Sequence, residues 1–143
     1  MSARPHLLIC IATEPGEWST ASFAADLGLT QGCIIRHVAA LRKSGLVAPN
    51  DTYRLNRRVH AARPIPIASE STMDAIWEAT MAHADDLEPG RPQRIAAELG
   101  LSVKVVKRVM TAFRQAGDIT PAGLLFPTSA GVAEVDSLTR ACA

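Results

Sequence analysis

The sequence predicts a mostly helical chain with small β-hairpins, laid out as two tandem copies of one unit. Three observations carry this. The segment Ala24–Thr30, AADLGLT, returns as AAELGLS at Ala96–Ser102, and the match keeps its 72-residue offset beyond it: Arg36 with Arg108, Arg42 with Arg114, Gly45 with Gly117, Pro49 with Pro121. Apolar residues recur at helical spacing in both copies, as Ile34, Val38, Leu41 and as Val106, Met110, Phe113. Each stripe stops at a glycine and is followed by two short β-prone runs around a proline-bearing turn. The 143 residues are 48% hydrophobic but only 4% aromatic, so the core must rest on Ala, Leu, Ile and Val, as in small helical modules.

In the first copy, Leu7, Leu8 and Ile11 follow Ser2 and Pro5 and suggest a short helix, which EPGEWS interrupts. A second helix is expected from about Thr20 to Leu27, closed by Gly28 in a left-handed cap. Leu29 should plug the turn, and Thr30 should cap a third helix that Gly45 ends. Leu46–Ala48 and Thr52–Leu55 flank Pro49-Asn50-Asp51 and predict a hairpin. In the second copy, Ser71 is a candidate cap for a helix carrying Met73, Ile76, Trp77, Thr80 and Met81. Pro92 suits a first helical turn, Ile95–Leu99 continue that helix, and Ser102 caps the next one, which Gly117 ends. Ile119 and Leu124–Phe126 flank Pro121-Ala122-Gly123 and predict the second hairpin. The expected domains are residues 1–62 and 71–128, joined by an extended connector at 63–70 around Pro64 and Pro66, with a tail at 129–143 that either forms a short helix through Val132, Val135 and Leu138 or frays.

Helix, helix, tight turn, helix, hairpin: FAADLGLTQGCIIRHVAALRKSGLV, and again IAAELGLSVKVVKRVMTAFRQAGDI, resembles the central segment of the winged helix-turn-helix superfamily, as in MarR-, ArsR- and IclR-type regulators. The resemblance covers residues 5–56 and 72–127 and implies two tandem winged helix-turn-helix domains that bind double-stranded DNA.

In that arrangement the third helix lies in the major groove with its outer face on base edges. With Ile34, Val38 and Leu41 turned inward, Gly32, Arg36, Ala39 and Lys43 face outward in the first copy, with Gln31 and Ile35 on the flank. In the second, Lys104, Arg108, Thr111 and Gln115 do so, with Lys107 beside them. Arg and Lys pair with guanine edges or phosphates, and Gln with adenine. The first copy also carries Arg54, Arg57 and Arg58 after its hairpin, with Arg63 beyond, suited to phosphates or a minor groove. The net charge of +1 hides this pattern, because residues 31–65 carry +6 and residues 66–91 carry −5.

The expected function is sequence-specific DNA binding, as a bacterial or phage transcriptional regulator or a replication or partition factor. The alternative is a protein-interaction module, such as a chromosome-complex scaffold or a phage inhibitor of a host protein. Its candidate surfaces, for another protein or a second copy of this chain, are Ile35 and the apolar second wing, AGLLFP, which is expected to pack against something rather than touch phosphates. No P-loop, glycine-rich fingerprint or credible Ser/His/Asp grouping occurs, so no catalytic residue, enzyme activity or cofactor is expected. Three scattered cysteines, Cys10, Cys33 and Cys142, suggest neither disulfides nor zinc, and His37 and His60 read as structural rather than metal-binding. HLLICIA is too short to span a bilayer and no targeting segment is visible, so no membrane partner and a cytoplasmic location are expected.

Overall fold

The computed structural model describes residues 3–60, 65–66, 68–86 and 88–141. Of the expected connector, Arg63, Pro64 and Ile67 lie outside these. Among the described residues the chain is mostly helical, with seven helices: α1 (Ala3–Thr13), α2 (Thr20–Leu27), α3 (Gln31–Lys43), α4 (Glu70–Ala82), α5 (Arg91–Leu99), α6 (Val103–Ala116) and α7 (Ser129–Ala141). The caps fall where the sequence puts them. Thr30 Oγ1 accepts from the Cys33 N–H, and Ser102 Oγ from Val105 N–H, each at 3.2 Å. Gly28 and Gly100 take left-handed conformations, and the residue after each donates to the carbonyl of Ala24 or Ala96. The α4 cap is Ser69 rather than Ser71; its hydroxyl accepts from Thr72 N–H, and Ser71 instead lies within the first turn. The repeat slips in the loop before α2 and α5. Glu-Pro-Gly occurs at 14–16 and at 88–90, two residues out of the 72-residue register, with Gly16 and Gly90 both left-handed.

The chain divides into two compact units that do not follow the expected boundaries at 62 and 71. One comprises residues 1–52 with 123–143, the other residues 53–122. In the first unit α1 packs against α3 and α7, and α2 against α3. Leu7, Ile11, Phe23, Ile34, Val38 and Leu41 fill its core together with Leu125 and Val135. The tail therefore forms a helix, α7, whose Val135 is buried. In the second unit α4 packs on α5 and α6, around Ile76, Trp77, Ile95, Val106, Met110 and Phe113. Tyr53, 72 residues before Leu125, joins that core. Its hydroxyl donates to the Thr80 carbonyl, and the buried Arg91 guanidinium lies 4.8 Å from its ring centroid.

The expected local hairpins are replaced by an exchange between the copies. Val47 pairs with Pro127, and Leu55 with Ile119, both antiparallel. In the first unit Ala48 N–H donates to Phe126 C=O (2.8 Å) and Thr128 N–H to Leu46 C=O (3.1 Å). In the second, Thr120 N–H donates to Arg54 C=O (3.0 Å) and Asn56 N–H to Asp118 C=O (2.9 Å). Each bond of one set maps onto a bond of the other by the 72-residue offset with the copies interchanged. A physical reason lies in the first turn. Pro49 C=O accepts from Thr52 N–H, yet neither Asn50 nor Asp51 has positive φ. A right-handed turn splays the flanking strands, whereas a tight hairpin needs left-handed central residues. The sister repeat supplies a strand at the equivalent position.

The exchange also accounts for the apolar second wing. Leu125 and Phe126 are buried in the chain's own packing and Leu124 and Pro127 are half-buried, while Ala122 and Gly123 at the tip stay exposed. Leu29 departs from expectation in the other direction: it is 40% exposed, because the turn it occupies projects outward, while Leu27, Leu99 and Leu101 are half-buried.

Candidate nucleic-acid interface

The second unit presents α6 as an amphipathic helix with a cationic outer face. Val106, Val109, Met110 and Phe113 point inward and are almost fully buried. Lys104, Lys107, Arg108, Thr111 and Gln115 are exposed. Val103, Lys104, Lys107, Arg108 and Thr111 together line one shallow concavity, and Thr111 is oriented by donating to the Lys107 carbonyl (2.9 Å). Lys104, Lys107 and Arg108 make no ion pair among the described residues. They stand in the first turns of the helix, where the helix dipole adds positive potential. Gln115 lies farther along and does not line this concavity.

The strand exchange carries Arg54, Arg57 and Arg58 of the first copy into this same second unit. They do not join the α6 concavity. Arg54 is exposed, with its backbone paired to Thr120 on both sides. Arg57 Nη1 lies 3.4 Å from Asp118 Oδ1, and its backbone N–H donates to the Asp118 carbonyl. Asp118 is buried, and His60 Nδ1 lies 3.4 Å from its other carboxylate oxygen. The His60 ring packs between Trp77 (5.0 Å) and Phe113 (4.6 Å), a structural place as expected. Arg57 and Arg58 line a separate concavity with Leu55, Asn56 and Met81. Arg58 further borders a groove containing Glu70, Asp74 and Glu78 of α4, which offset its charge.

The first unit's corresponding face is different. Gln31 Nε2 donates to Thr20 Oγ1 (3.2 Å), tying it to α2. Arg36 and Lys43 are exposed, but Gly32, Ile35 and Ala39 lie beside them, and Ile35 is 51% exposed. Arg42 is half-buried, with Nε donating to the Ala48 carbonyl (3.0 Å), and so serves the fold. His37 Nδ1 accepts from Arg4 Nε (3.1 Å).

Asp118 was not legible as a site residue. It reads as a polar turn residue after Gly117, and its partners Arg57 and His60 lie about sixty positions away, reached only through the exchanged strand. The two α6 residues Val103 and Thr111 complete the concavity; Thr111 was signalled by its outward register. Among the described residues no group of three or more His, Cys, Asp or Glu is placed to hold a metal ion, and no helix is long and apolar enough to cross a membrane. No protein-family model matches the chain, and neither does any curated protein or solved structure.

Proposed function

We propose that this chain is a non-enzymatic DNA-binding protein of two winged helix-turn-helix units with exchanged wing strands, and that α6 of the second unit is its principal reading helix. The observation that carries this is the concavity formed by Lys104, Lys107 and Arg108 with Thr111, a compact cationic face without an opposing acid. Such a face suits phosphates and guanine edges. Arg54, exposed in the same unit, is placed to add a backbone contact, and Arg57 and Arg58 act more weakly because carboxylates share their charge. The role that follows is regulation of transcription, or initiation of replication or partition, in the cytoplasm of a bacterium or its phage.

A second reading attaches to the first unit alone. Leu29 and Ile35 are exposed on and beside α3, which favours a protein contact there over base readout.

Binding of duplex DNA, measured against salt concentration, tests the main reading. Affinity should fall steeply as salt rises, because each neutralised phosphate releases counterions. Joint replacement of Lys104, Lys107 and Arg108 by Ala should flatten the slope by roughly three units if each meets one phosphate. If Arg108 instead reads a guanine, Arg108→Ala relaxes preference at one base pair by about 1–3 kcal/mol. No binding at low salt leaves the protein-contact reading standing.

A further inference from the structure

We infer that each repeat is the obligate partner of its sister: the strand slots are mutual docking surfaces, and a chain severed between the repeats remains one folded particle. This inference is independent of DNA binding. It rests on the reciprocity of the pairing. Residues 46–48 of the first repeat are satisfied by 126–128 of the second, and residues 54–56 of the first by 118–120 of the second. The cores follow the same rule, since Tyr53 is buried with α4–α6 and Leu125 with α1–α3. A repeat deprived of its sister loses a core side chain and the strand against which its own backbone groups pair. This is strand addition, in which main-chain hydrogen bonds hold the partner and alternate side chains set the register. The partner that fits is therefore an extended strand of the sister repeat, with its core residue seated in the unit.

The hydrogen bonds bracket each bridge, so Val47 faces Pro127, and Leu55 faces Ile119, as non-hydrogen-bonded antiparallel pairs. Opposed residues of this kind have Cα atoms about 4.5 Å apart, within reach of a disulfide. The test uses the full chain with a specific protease site placed between residues 61 and 64. After cleavage the wild-type protein should elute at the mass of the intact chain. It should unfold in one transition whose midpoint rises with protein concentration, as dissociation accompanies unfolding. Elution as two separate fragments overturns the inference.

The packing of α7 on α1 also crosses the cut, so a second measurement isolates the slots. Val47→Cys with Pro127→Cys, or Leu55→Cys with Ile119→Cys, should link the two fragments on a non-reducing denaturing gel, with the linked pair identified by peptide mapping. Val47→Cys with Leu55→Cys should not bridge within the first fragment. A bridge between 47 and 55, with none between 47 and 127, means local hairpins and overturns the inference even if the severed chain stays together.

Discussion

Gly131 shows how one residue can reverse a general rule. Replacing a helical glycine by alanine ordinarily gains about 1 kcal/mol. In α7 a Cβ at Gly131 would come 2.1 Å from the Leu46 carbonyl oxygen, a backbone atom held by the Thr128 N–H. Gly131→Ala should therefore lose about 1–3 kcal/mol in chemical denaturation, by overpacking. A second single-residue effect concerns His83. The Glu98 carboxylate, 2.9 Å from Nε2, raises its pKa above the ordinary value; burial opposes this, and Asp86 adds a smaller rise. The stabilisation is thus fully present below the unfolded pKa of about 6.5 and fades as pH rises through the folded value. An NMR titration should give a His83 midpoint above about 6.5, and Glu98→Gln should bring it down. Asp86 shifts the opposite way. The Arg94 guanidinium, the Glu88 N–H and His83 hold its carboxyl well below the usual range, so its contribution is fully present above the unfolded pKa of about 3.9 and is lost as pH falls from there through the folded value.

At the scale of elements, the sequence revealed its helices well because their signals are local. Thr30, Ser102, Gly28 and Gly100 mark ends through short-range hydrogen bonds and backbone preference, and all four hold their expected places. The stripes Ile34, Val38, Leu41 and Val106, Met110, Phe113 are buried in full, which fixes the outward register of the candidate DNA-binding residues. Phe113→Ala should cost about 3–5 kcal/mol and Leu41→Ala about 2–5 kcal/mol in denaturant unfolding. The strands were legible as extended segments but not in their partners. A β-run of three residues carries no mark of which equivalent strand it meets, and the repeat offers two. For the same reason the sequence placed the basic residues 54, 57 and 58 with the first copy's helix, whereas they fold with the second. Their charges were visible, but the acids that face them were not: Asp118 and the carboxylates of α4 come close only through tertiary structure.

Across the whole molecule, two related repeats have diverged in surface while keeping the same order of helices. The outer face of α6 carries three cations that make no ion pair among the described residues, while that of α3 carries Arg36 and Lys43 beside exposed Ile35. A duplicated chain that exchanges strands can let one copy keep a contact surface while the other changes, because both remain bound into the fold by their pairing. The proposal is that the α6 face holds duplex DNA. Its most direct measurement is an amide NMR titration of the full chain with a short duplex at low salt. The largest shifts should gather at Val103, Lys104, Lys107, Arg108 and Thr111, with smaller ones at Arg54 and little change on α3. Shifts centred on α3 around Leu29 and Ile35, or none anywhere, would contradict it.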